Sequence, residues 1–179
     1  MQKKQLFFML IALQVLILLG VFGKAFYPLV IGQEVKFKVL PRDPRDIFRG
    51  NYVDLTYSFN SLDLMTLPND IDKTAKYRYG DVFYLEIRQK GEFHEPAGVW
   101  KKKPDNKQFM QVIFQDTYSY DTIQSMMVNA GIESYFTEAK NAFKMESLNM
   151  RDITDVIVNV MIAPDGKARI KDVEIRTKK

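Results

Sequence analysis

The chain has 179 residues, enough for one domain of ordinary size and a terminal segment, and its 13 Phe and 9 Tyr favour strands. It has no cysteine, which excludes disulfides, thiolate metal sites, a cysteine nucleophile and attachment through a lipidated N-terminal cysteine. Most of the net charge of +4 sits in residues 1–24, where Lys3, Lys4 and Lys24 face no acid; the nearly neutral remainder argues against nucleic acid as a partner.

Residues 6–23 read LFFMLIALQVLILLGVFG, uncharged and with one amide, Gln14. As a helix this run rises about 27 Å, close to the ~30 Å hydrocarbon core of a bilayer, and it has no polar face to turn outward from a protein core. Lys3 and Lys4 resemble the basic start of an export signal, but the apolar run is longer than that of a cleaved one. Neither Val21-Phe22-Gly23 nor Gly23-Lys24-Ala25 makes a good cleavage site. The expectation is an uncleaved signal-anchor over residues 1–27, single-pass in the cell membrane with its N terminus cytoplasmic. The domain over residues 28–179 is then extracytoplasmic. Lys24, Lys36, Lys38 and Arg42 lie on the far side, but long domains translocate largely regardless of charge.

Pro28 is expected to end the helix, with residues 28–33 as a link. Residues 34–40 alternate strictly, Val35, Phe37 and Val39 against Glu34, Lys36 and Lys38, and predict a half-buried strand. In Pro41-Arg42-Asp43-Pro44-Arg45-Asp46-Ile47-Phe48-Arg49-Gly50, Asp43 suits an N-cap, Pro44 a first helical position and Gly50 a left-handed stop. The stretch predicts one capped helical turn between two strands. Residues 52–59 form the next strand, Val53, Leu55, Tyr57 and Phe59 opposite Tyr52, Asp54, Thr56 and Ser58.

Residues 60–79 read as loop. Gly80 and Asp81 open a strand over residues 82–88, as Gly50 and Asn51 open the one before; an Asx side chain there bonds backbone N–H groups of the turn. Residues 91–96 read as a polar loop and 98–101 as a short strand. A basic turn leads to a strand over 109–117. Residues 118–131 show no clear period, 132–136 suit a strand, and Thr137 caps a helix over 138–149. The terminal hairpin is the clearest element: residues 155–162, a turn at Ala163-Pro164-Asp165-Gly166, then residues 168–175. The fold class is therefore mainly β, an antiparallel sheet or partly closed barrel with one crossover helix, preceded by a single transmembrane helix.

Asp43-Pro44-Arg45-Asp46, Arg49-Gly50-Asn51-Tyr52 and Leu55-Thr56-Tyr57 resemble the signature of the GDYXXLXY family of membrane-anchored proteins, DPR-x-x-x-RGDY-x-x-L-x-Y. Gly80-Asp81-Val82, Gly98-Val99-Trp100 and Gly131-Ile132-Glu133-Ser134-Tyr135-Phe136 with Glu138 follow in the family's order, so the resemblance covers about residues 30–176. It implies an N-terminal anchor and, because members often occur beside polytopic membrane proteins, a complex with such a partner. Asn51 departs from the motif's Asp. An amide makes the same turn hydrogen bonds, which weighs toward a structural role there.

The motif residues Asp43, Pro44, Arg45, Arg49, Gly50, Asn51, Tyr52, Leu55, Tyr57, Gly80 and Asp81 are the candidate structural or binding set. Arg42, Arg45 and Arg49 suit a carboxylate or phosphate, but Asp43 and Asp46 lie close enough to satisfy them internally. His94, between Glu92 and Glu95, is the sole histidine and reads as an exposed loop residue rather than a metal ligand. Ser125-Met126-Met127 evokes the serine box of signal peptidases, but stands after both glycine-Asx strand openings, in the wrong order. Trp100 and tyrosines 77, 79, 118 and 120 read as core or cross-strand aromatics before they read as a stacking platform. No catalytic set, metal site or cofactor is expected. The expected role is a non-enzymatic binding or assembly module that docks onto a polytopic membrane protein or an envelope component. The alternatives are an envelope hydrolase using the turn at 42–54, and a polyanion or glycan binder using Lys101, Lys102, Lys103 and Lys107.

Overall fold

The structure, a computed structural model, describes residues 3–39, 52–117, 122–136 and 153–177. The DPR turn at 41–51, tyrosines 118 and 120, and the helix expected over 138–149 lie outside the described residues.

Among the described residues one α-helix, α1, spans Lys3–Ile31. Its apolar side chains are exposed along its length, and of its described side chains only Pro28 is buried. Pro28 does not end the helix, contrary to the sequence expectation. Proline removes one donor and opens one turn, but the Gly32 N–H closes on the Pro28 carbonyl at 2.9 Å and completes the turn beyond it. Gly32 is a forced choice. A Cβ there would stand 2.3 Å from the Pro28 oxygen and 3.0 Å from the backbone of Ile162, so the helix and the domain meet without a spacer.

The strands are β1 (Gln33–Val39), β2 (Tyr52–Asp54), β3 (Ser61–Asp63), β4 (Val82–Lys90), β5 (Phe93–Trp100), β6 (Phe109–Thr117), β7 (Ser125–Asn129), β8 (Ser134–Phe136), β9 (Ile153–Ile162) and β10 (Ala168–Thr177). All their pairings are antiparallel and fall into three sheets ordered β1-β9-β10, β2-β8 and β3-β7-β6-β4-β5, the last curled into a half-barrel. Val35, Phe37 and Val39 of β1 and Val158, Val160 and Ile162 of β9 turn inward to meet Leu85, Met110, Val112, Met126 and Val128 of the half-barrel. The β9–β10 turn also reaches the half-barrel, where Gln111 N–H donates to the Gly166 carbonyl at 2.8 Å.

Three expectations fail for identifiable reasons. The strand expected over 52–59 is a ladder only to Asp54, although its burial alternates as expected through Leu55, Tyr57 and Phe59. Asn60 Oδ1 accepts the Tyr57 N–H at 2.7 Å, so the pairing with β1 stops at the single bridge Val39–Tyr57 and the chain turns through a short 3-10 helix, Ser58–Asn60. The supposed loop 60–79 contains β3, a short edge strand. The supposed polar loop 91–96 is mostly strand: only Gly91 and Glu92 turn, and β5 continues through Pro96. β5 is an edge strand, and its register against Glu86 and Ile87 of β4 slips by one residue at Ala97, beside Pro96, the setting in which a sheet tolerates proline.

Candidate functional site

Two of the sequence motifs converge in one unit. Strand β2, which opens with Tyr52, pairs with β8, and the Leu55 N–H continues that pairing onto the Glu133 carbonyl at 2.7 Å. Leu55 and Tyr57 are buried. The Tyr57 hydroxyl donates to the Ile132 carbonyl at 2.9 Å, and its ring stacks on Phe59 with centroids 4.7 Å apart. Phe37 meets both rings edge-on. The Glu133 carboxylate accepts from Ala130 N–H, Gly131 N–H and Asn60 Nδ2 at 2.7, 2.9 and 3.0 Å. Asn60 therefore bridges the LxY end of the first motif to the GIES motif, bonding also the Val128 carbonyl at 3.0 Å.

Burial, and secondarily the charge of Glu133, holds the Tyr57 phenol far above its ordinary range, so it remains a neutral hydrogen-bond donor. The chemistry of this unit is that of a clamp. Its carboxylate and its phenol are spent on backbone groups of the same turn. Sequence reasoning missed Asn60 and gave Glu133 no role. A polar Asx directly after the buried Phe59, with a glycine-led acid downstream, was the available signal.

Gly80 and Asp81 form a strand opening, as expected. Gly80 has φ +96°, a conformation that costs other residues dearly, and Asp81 Oδ2 accepts the Arg78 N–H at 2.8 Å. The backbone of the same turn is latched to β6 by Gly80 N–H to Phe114 carbonyl at 3.1 Å and Phe114 N–H to Asp81 carbonyl at 2.8 Å. Asp43, Pro44, Arg45, Arg49, Gly50 and Asn51 lie outside the described residues.

A buried charge lies further along the same strand, β4. Glu86 is 5% exposed and accepts from Trp100 Nε1 at 3.0 Å and Lys107 Nζ at 2.8 Å, while Lys107 also lies over the Trp100 ring, 5.1 Å from its centroid. Burial pushes the Glu86 pKa up, but the hydrogen bonds from Lys107 and Trp100 and the charge of Lys107 outweigh it, leaving the pKa below its usual value. Two other lysines of the basic turn are separately engaged, Lys101 over Tyr77 and Lys103 over Phe109 with a hydrogen bond to the Pro164 carbonyl. Tyr77 packs on Phe83 and Phe114, whereas Tyr79 is exposed. Ser125, the first residue of β7, pairs with Asp63 of β3, and its carbonyl accepts from the Thr117 hydroxyl.

His94 is not an exposed loop residue. It lies in β5, half-buried beside Phe37, and its Nδ1 accepts the Lys36 N–H at 3.3 Å across the gap between sheets. Burial lowers its pKa, and the Lys36 contact requires Nδ1 unprotonated. It borders a polar groove of about 400 Å³ with Glu34, Lys36 and Glu92. The carboxylates are committed elsewhere: Glu92 to Arg176 and Lys36, Glu95 to Lys90, Glu34 to Lys171. Among the described residues no group of three His, Asp or Glu could hold a metal ion.

The family model described as GDYXXLXY protein matches residues 14–173, nearly the whole chain. The chain belongs to the GDYXXLXY family. No curated protein and no solved structure matches it. In this member the GDYXXLXY elements that the structure describes join β2 to β8 and, separately, latch the opening of β4 to β6, and the match reaches back into α1.

Proposed function

We propose that the chain is a membrane-anchored binding or assembly module whose β domain lies outside the cytoplasm and docks onto a polytopic membrane protein or an envelope component. The observation that carries this reading is the helix. Residues Lys4–Ile31 have mean hydropathy 2.7 over their most apolar window, none of it buried against the domain. A soluble protein does not leave so many large apolar side chains in water, and a bilayer accommodates them. Lys3 and Lys4 ahead of the run favour a cytoplasmic N terminus.

Assembly rather than catalysis is supported by the described motif side chains. Leu55, Tyr57 and Asp81 are each spent on packing or on internal hydrogen bonds. Lys101, Lys103 and Lys107, each engaged with a different aromatic ring or carboxylate, weigh against a polyanion surface, which needs its cations free and adjacent. The experiment is purification of the full-length chain from mild detergent. Stoichiometric recovery of a polytopic membrane protein is the expected result. A chain that purifies alone and turns over an envelope substrate would overturn the reading.

A further inference from the structure

A cleft of about 510 Å³ lies where the last turns of α1 pass the β domain. Val21, Lys24 and Pro28 line it from the helix; Ile113 of β6 and Lys167 and Arg169 of the terminal hairpin line it from the sheets. Its wall is tied: Arg169 Nε donates to the Ala25 carbonyl at 3.2 Å. That bond is one residue beyond the Lys24 carbonyl, which Pro28 leaves without its usual helical donor.

The charge in the cleft is one-sided. Among the described residues neither Lys24 nor Arg169 is in an ion pair, whereas Lys167 is held by Asp165 at 2.9 Å. Two cations whose charge no described carboxylate offsets, Arg169 still having its terminal guanidinium nitrogens to offer beyond the Nε bond, thus share a recess with apolar side chains, Val21 at 62% and Ile113 at 41% exposure. Val82, paired with Ile113, is also exposed and continues this apolar surface along the sheet.

Depth selects the ligand. The 28 residues of Lys4–Ile31 rise about 42 Å, matching a bilayer with its headgroup layers, ~40–45 Å. Lys24 is the first charge after the apolar run, so the cleft falls in the headgroup layer on that side. We propose that this cleft binds the headgroup of an acidic phospholipid. Lys24 and Arg169 take the phosphate, and Val21 and Ile113 lie against the glycerol and upper acyl carbons. A free phosphate would gain nothing from that apolar half, which is why the assignment is to a lipid. The inference rests on the helix lying in a bilayer.

The test uses the full-length protein in nanodiscs of phosphatidylcholine with or without phosphatidylglycerol, read by native mass spectrometry of the retained lipid. Phosphatidylglycerol should be retained in preference to phosphatidylcholine. Retention should fall roughly tenfold or more in Lys24→Gln/Arg169→Gln. It should persist in Arg169→Lys and in the charge-matched control Lys76→Gln/Lys102→Gln. Equal retention of both lipids, or a double variant that binds undiminished, overturns the site. Displacement by inorganic phosphate without lipid preference overturns the lipid assignment. Thermal unfolding separates loss of the site from loss of the fold, and Lys24→Gln alone, on the exposed helix, serves if the double variant does not fold. Failure of the anchor reading shows separately, because carbonate washing would then release the unsubstituted chain from membranes.

Discussion

Tyr57 carries its motif's most consequential hydroxyl. Tyr57→Phe keeps the ring on Phe59 and Phe37 but leaves the Ile132 carbonyl without this donor, which should cost about 1–3 kcal/mol in urea unfolding at unchanged fold. Glu86 and Lys107 are unequal partners, one buried and the other half-exposed, so the cost of Lys107→Met lies between that of a buried and a surface contact, about 1–2 kcal/mol. The folded pKa of Glu86 is lowered, so its stabilising contribution is present above the ordinary 4.5 and is lost as pH falls through the folded value. Stability measured from pH 6 downward should therefore fall less steeply below about 4.5 in Glu86→Gln than in the unsubstituted chain. His94 titrates in another window. Its folded pKa lies below the ordinary 6.5, so acidification through 6.5 destabilises the folded chain, and His94→Gln should flatten the stability curve between about pH 7 and 5.

At the scale of elements, long regular strands were legible and interrupted ones were not. Residues 109–117 and the terminal hairpin read directly from alternation because each strand is long enough to keep its pattern past a local register shift, after Phe114 against β7 and after Ile170 against β9. The segment after Tyr52 kept its alternation yet shortened its ladder to a single bridge at Tyr57, where the Asn60 side chain takes the N–H and turns the chain. Pro96 suggested a loop because local rules do not say which strand will be an edge. Pro28 suggested a helix end for a similar reason: whether the chain resumes its helix depends on what lies beyond. Here that is Gly32, pressed against Ile162. Gly32→Val should force the helix terminus away from β9 and lower stability by about 1–3 kcal/mol, read by thermal unfolding of the full-length chain.

For the whole molecule, the helix and the domain are joined by few contacts, and every side chain of the hydrophobic core belongs to the domain. A chain beginning at Gly32 should keep its β circular dichroism and lose its sedimentation with membranes. Aggregation or unfolding of that chain would mean that α1 is part of the fold. The apolar helix, the mainly β class and the family were determined by sequence alone, because hydropathy, alternation and short motifs are local properties of the chain. The tertiary structure alone decided that the LxY and GIES motifs form one clamp, that His94 spans two sheets, and that Lys24 and Arg169 share a cleft. Each of these joins residues dozens of positions apart, and only the sheet order, which emerges when all apolar faces compete for one core, brings them together.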